Sequence, residues 1–467
     1  MLEADRTRYR KAADAHMEND ISTEPGPHSR SVAEFARDLR WNDLPADVRD
    51  QAVRCTLDLC GAAVAGSRTS VARITASHAL ETHGSGPHTI IGSETGGTSS
   101  GAALANGFAA SALDIDDGYR PVKGHPGAVV FPAVLAAAES AGASGTRFLT
   151  ALVVGYEVSM RAGLTLHRLY DFYHGSGAWG PVGAAAGAGS LLGYDTERIR
   201  HALGIAEFHA PMTPEMRSID HPSMLKDGIG WGAMVGLSSA KLAGKGFTGI
   251  PSLFDEEEAD PASIESLGHE YLIRDLYFKP HPCCRWAQPA VEGALAAARE
   301  LDVNAEEISR IRVHTFEAAT RLRSTAPRTT EEAQFSLPWP VACALIDGVI
   351  GPDQMLEQAL TDLARQALAA RVETVHDPEL ERAFPAQALA RVEIEASDGR
   401  RARSEVMAAQ GDAEARPSDE EFTGKFESLA EPVLGSGRAA ELTRAIQTLP
   451  EAADLDTLTA LLRPPGR

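Results

Sequence analysis

The chain has 467 residues, a formal net charge of −21, and contents of 43% hydrophobic and 23% charged residues. Such values fit a soluble globular protein of more than one domain, and the acidic balance excludes a general nucleic-acid binder. No apolar run reaches the ~20 residues that a bilayer span needs. Met1 to Arg30 is polar with no apolar central segment, so a flexible extension over 1–30 is expected rather than a signal peptide. A cytoplasmic protein without a membrane partner follows. The five cysteines, at 55, 60, 283, 284 and 343, form neither a disulfide framework nor a CxxC pair, so reduced thiols and no bound metal are expected.

From Ser31 to about residue 264 the text is helical, rich in Ala, Leu and Gly. Ser31 caps an apolar run ending near Ala36, and Arg49 to Ala65 places Val53, Leu57 and Cys60 on one face. Thr146 to Glu157 continues the pattern as part of a long helix. Gly183 to Gly189 alternates Gly with Ala, which lets helices approach closely, so a tightly packed all-α domain over 31–264 is predicted. Phe254 to Pro261 reads as a solvated acidic loop. Beyond it, Ile308–Thr315 and Ala390–Glu395 alternate apolar and polar residues, as strands do. The turn Ser397-Asp398-Gly399-Arg400 joins the second run to 401–407 as a hairpin. With helical patterns over 291–301 and 356–370, these strands predict an α+β second domain over 265–410. Residues 411–467 return to helix and are expected to pack back on the first domain. The fold class is mainly α.

Four segments carry candidate chemistry. The first is Asp114-Ile115-Asp116-Asp117-Gly118-Tyr119-Arg120, leading through Lys123 to His125-Pro126-Gly127. Charges packed between apolar helices are costly unless paired or used. His125 suits proton transfer, Asp114 or Asp117 its orientation, and Arg120 and Lys123 the binding of substrate carboxylates. His174 lies on the Gly-rich loop Tyr173-His174-Gly175-Ser176-Gly177, where a ligand can come close. Lys226 stands before the small-residue run Gly228, Gly230, Gly232 and suits charge stabilisation if buried. In the fourth, Lys279-Pro280-His281-Pro282-Cys283-Cys284-Arg285, two prolines hold the chain extended, so that Lys279, His281 and Arg285 project from a rigid loop. No P-loop, no GxGxxG after a strand and no GxSxG elbow is present, which removes support for phosphoryl transfer, dinucleotide chemistry and serine hydrolysis.

Together these segments resemble the MmgE/PrpD family, which includes 2-methylcitrate dehydratase, cis-aconitate decarboxylase and iminodisuccinate epimerase. The resemblance runs from about Ser31 to Phe426. It is carried by the order of Asp114-Ile115-Asp116-Asp117 with His125-Pro126, Ser144-Gly145 to Glu157, Phe247-Thr248-Gly249, Ala333-Gln334-Phe335-Ser336-Leu337-Pro338, and Pro417-Ser418 to Lys425-Phe426. It implies a large helical domain, a smaller α+β lid, a cleft between them and a homodimer. It also implies cofactor-free chemistry on a small anionic polycarboxylate, with Asp114, His125, His174, Lys226 and Lys279 as catalytic positions. Asp117, Arg120, Lys123, His281, Cys284 and Arg285 are then the substrate-binding candidates. Cys284 stands where the animal decarboxylases carry a histidine, closer to the fungal pattern. The expected activity is that of a lyase on a citrate-like acid, a hydro-lyase first and a decarboxylase next. An epimerase of a dicarboxylate is the alternative, and a non-catalytic binding protein the third reading.

Overall fold

The computed structural model describes residues 26–464. The fold is mainly α, as the sequence predicts. Helix α1 (Pro27–Asp38) starts inside the stretch expected to be an extension; residues 1–25 of that stretch lie outside the described residues. The first large core gathers α2 (Ala46–Gly66), α4 (Ser99–Ser111), α5 (Pro126–Ala141), α6 (Gly145–Leu169), α7 (Gly180–Leu191), α8 (Thr196–His209) and α10 (Ile229–Gly244). Small residues set their spacing. A side chain on Gly183 of α7 would overlap the Gly155 carbonyl and Ser159 of α6, so only glycine permits that approach.

The acidic loop is not simply solvated. Phe254 is fully buried, and the Asp255 carboxylate accepts the Ser29 backbone N–H at 3.0 Å and the Ser29 hydroxyl. Helix α1 has no side-chain cap of its own, and Asp255 satisfies one of its free N-terminal donors, the Ser29 N–H, from 226 residues away. Sequence-local reasoning missed this because the capping partner is distant in the chain.

A second core is built on a five-stranded mixed sheet. Strand β2 (Ile308–Thr315) pairs parallel with β3 (Val372–His376) and antiparallel with β4 (Leu389–Ala396), with Val313 opposite Val392. The predicted hairpin is present: Gly399, at φ +90°, turns β4 into β5 (Arg401–Arg403), and β6 (Met407–Ala408) rejoins β4. Helix α12 (Gln288–Leu301) covers one face of β4, and α14 (Pro338–Asp347) packs beside it. The helical pattern over 356–370 resolves into a 3₁₀ turn and a short helix, α15 (Leu363–Ala369), followed directly by β3. Helix α17 (Asp419–Leu434) returns to lie on α2. Among the described residues no helix is long and apolar enough to cross a membrane.

Candidate active site

The segment between α4 and α5 is irregular for a physical reason. Pro126 starts α5 at a position where its missing N–H costs nothing, and Gly127 donates its N–H to Asp117 Oδ1 at 3.2 Å. A Cβ on Gly127 would overlap the Asp117 carboxylate, which explains the His-Pro-Gly order. Upstream, Asp114 adopts φ +52°, a left-handed conformation that turns its carboxylate back toward Lys279. Reciprocal backbone bonds between Gly118 and Tyr277, at 3.0 and 2.9 Å, dock the segment carrying Lys279 against this loop.

Lys279 is wholly buried, its Nζ 2.8 Å from Asp114 Oδ1. Burial alone would raise the Asp114 carboxyl, but Lys279, Lys226 and His125 outweigh it and hold the group below the ordinary carboxylate range. The Lys279 ammonium, which burial would lower, is raised by Asp114 and Asp116. His125 lies directly above. Its Nδ1 is 2.8 Å from the Asp117 carbonyl oxygen, which only accepts, so Nδ1 carries the hydrogen and the lone pair of the neutral ring falls on Nε2. That Nε2 stands 3.8 Å from Asp114 Oδ1, beyond hydrogen-bond reach. Asp116 Oδ2 flanks Nδ1 at 3.5 Å, and neither Asp116 oxygen has a hydrogen-bond donor. Ser176 Oγ accepts the His125 backbone N–H at 2.8 Å, tying in the Gly-rich loop.

Lys226 is 4% exposed and donates to Gln334 Oε1 at 2.7 Å, while Gln334 Nε2 donates to the Ala112 carbonyl at 2.9 Å. Three successive left-handed residues, Lys226 (φ +45°), Asp227 (+56°) and Gly228 (+71°), deliver this amine before α10 begins. The segments meet at a cleft of about 80 Å³ whose walls include Asp114, Arg120, Lys123, His125, Cys284 and Arg285, with Lys226 and Lys279 buried out of its lining.

Other candidates lie elsewhere. His174 does not line the cleft. Its ring packs on Phe172 at 3.7 Å between centroids and edge-on to His167 at 5.2 Å, and burial pushes it down to about 4. Asp117 is turned into the core, where it takes the Tyr156 hydroxyl's hydrogen bond and burial pushes its carboxyl well up. His281 faces Glu292, with Nε2 2.9 Å from Oε1. Cys284 does line the cleft, but burial pushes its thiol up to about 12, so it stays protonated. No group of three or more metal-ligating side chains occurs among the described residues.

Sequence reasoning missed several participants. Asp412, in the segment assigned to the returning helices, pairs with both Arg120 and Arg285, and Arg285 lies 3.9 Å from the Tyr277 ring centre. Glu215 and Asp227 also line the cleft and contact one another. Gln334 sits in a segment quoted for the family resemblance, yet an uncharged amide gave no chemical signal of its own. Asp227 follows Lys226 directly and Glu215 stands eleven residues before it, but which acids of an acidic chain face a cleft is set by backbone turns.

Residues 30–260 match the MmgE/PrpD N-terminal domain and residues 281–451 the MmgE/PrpD C-terminal domain. Among curated relatives, the chain is 26% identical to the cis-aconitate decarboxylase-like protein oryM of Aspergillus oryzae, over 94% of this chain and 98% of that protein. It is 25% identical to the cis-aconitate decarboxylase of Aspergillus terreus, over 98% of each. It is 27% identical to the human cis-aconitate decarboxylase, over 94% of this chain and 95% of the human protein. With both domain models matched in order and spanning most of its length, the chain belongs to the MmgE/PrpD family.

Proposed function

We propose that this protein is a lyase that removes carbon dioxide from a small unsaturated tricarboxylic acid of the cis-aconitate type. One observation carries the reading: a histidine whose tautomer is fixed by a backbone carbonyl, with Nε2 unbonded near an Asp114 that the buried Lys279 holds. The end-to-end similarity to decarboxylases of that acid favours carbon–carbon cleavage over the loss of water that the motifs alone put first.

The chemistry follows from charge. When the C–C bond to the departing carboxylate breaks, its electron pair forms a new double bond. The old π pair moves to the far carbon, beside another carboxylate, and takes up a proton there. His125, charged from solvent, delivers that proton through Nε2. Lys226 and Lys279 offset, from buried positions, the negative charge that grows on the neighbouring carboxylate. Asp114 keeps Lys279 charged and in place. His174 is left out of the assignment because its ring packs among Phe172, Tyr170 and His167, whereas Lys279 bonds Asp114 of the cleft wall.

The deciding experiment incubates the protein with cis-aconitate in D₂O and follows carbon dioxide and the product by NMR. The expected result is one carbon dioxide per product, with one deuterium on the carbon that gained the proton. Water loss from a citrate-like hydroxy acid without carbon dioxide would replace this reading with a hydro-lyase. Exchange and inversion at a dicarboxylate's α-carbon would replace it with an epimerase.

A further inference from the structure

The pair Glu215 and Asp227 has no part in the chemistry above, yet it occupies the same cleft wall as His125. Glu215 is 2% exposed, and its Oε2 finds no N–H or O–H donor in the protein. The two side chains stand side by side behind Gly175, and a proton held between two neighbouring buried carboxyl groups removes their repulsion. Their position is built by the chain. Glu215 N–H donates to the Tyr173 carbonyl at 2.9 Å, and Gly175 N–H donates to the Thr213 carbonyl at 2.8 Å. A Cβ on Gly175 would stand 2.5 Å from Glu215 Oε2 and 3.2 Å from the Asp227 Cβ, so only glycine leaves room for the pair.

Of the cations in and behind the cleft wall, Lys279 is paired with Asp114, and Arg120 and Arg285 with Asp412, while Lys226 bonds the neutral amide of Gln334 and Lys123 lies over the Tyr173 ring. A substrate carrying three carboxylates thus meets two cations without a carboxylate partner among the described residues, Lys123 and Lys226, and an acid pair bearing negative charge repels it. Resting on the polycarboxylate reading above, we infer that Glu215 and Asp227 form the subsite for one substrate carboxylate and take up a proton as it binds. The protonated pair then donates O–H hydrogen bonds to the incoming carboxylate, as Arg or Lys would, and the proton comes from solvent. Burial already pushes Glu215 well up, with the Asp227 charge adding to the rise, and burial raises Asp227, so the added proton is close at hand. The groups facing the pair are Asp114, His125, Lys226, Tyr173 and Cys284. Of these, His125 is the rival proton acceptor.

Calorimetric titration with propane-1,2,3-tricarboxylate, an unreactive saturated acid, tests the inference without turnover. Run in buffers of different ionisation enthalpy, it counts protons taken up. Full-length protein is expected to take up protons on binding, with Kd weakening up to about tenfold per pH unit where the pair loses its proton. In E215Q and D227N the uptake should fall by half or more and the pH slope should flatten. Both variants are close in shape to the native residue, and Asn is among the residues that tolerate the left-handed conformation at 227. Binding with no uptake, or with uptake unchanged in both variants, overturns the subsite and leaves the function standing. Absence of binding by propane-1,2,3-tricarboxylate and by cis-aconitate alike overturns both.

Discussion

A fully buried ammonium is tolerable only beside a fixed anion, and Lys279 has Asp114 at 2.8 Å. Their titration shows how the pair supports the fold. Asp114 is depressed, so its contribution is complete above the unfolded carboxylate value of about 3.9 and is lost as pH falls through the folded value. Lys279 is raised, so its contribution is complete below about 10.4 and is lost as pH rises through its folded value. Lys279→Met leaves Asp114 and Asp116 buried without their nearest cation, and should cost about 3–5 kcal/mol at pH 7. Chemical unfolding at pH 7 and at pH 4.5 checks this: the deficit should shrink at the lower pH, where protonation discharges Asp114. Equal deficits at both values would mean that lost packing, rather than lost charge, sets the cost.

At the scale of elements, the turn before α10 stores strain in three left-handed residues. Gly228→Ala places a Cβ 2.6 Å from Thr213 Cγ2 at φ +71°, for an expected cost of about 1–3 kcal/mol. Because that turn aims Lys226 and Asp227, activity should fall by more than stability alone predicts. Assays at a temperature where the variant is still fully folded separate the two effects. The sequence announced Lys226 by the small residues after it, but gave no sign of a left-handed run. Two of those residues are not glycine, and their conformation is imposed by the packing of Gly177 against Gly228. Long helices were legible because their apolar period repeats locally: the run from Thr146 to Glu157 opens α6, and that from Arg49 to Ala65 lies within α2. The β4–β5 hairpin was legible from its Asp398-Gly399 turn. Strand β3 was not, since its only partner among the described residues is β2, a parallel neighbour nearly sixty residues earlier, and no short pattern encodes that register. The same distinction governs the site. His125, Lys226 and Lys279 stood out by residue type, whereas Asp412, Gln334 and the Glu215–Asp227 pair gain meaning only from contacts across the chain.

For the molecule as a whole, buried ion pairs join segments that sequence order keeps apart. Lys425 on α17 reaches across to Asp58 on α2 and donates to the Ile115 carbonyl at 2.9 Å, so the returning helices brace the loop that carries Asp114 and His125. The Asp58 side chain is entirely buried, and its Oδ2 has no donor. Burial raises its carboxyl while Lys425 opposes the rise. Lys425→Met keeps the length and apolar body of the side chain and removes the charge. Asp58 then lies in the core without its cation, and its carboxyl climbs further. An acid raised in the folded state binds more protons folded than unfolded, so stability falls as pH rises from about 3.9 toward the folded value. The variant should therefore melt below the native protein by a margin that widens between pH 5 and pH 8. K425M combined with Asp58→Asn should recover most of that loss. A margin independent of pH, or no recovery in the double variant, would show that the brace acts by packing instead of by charge.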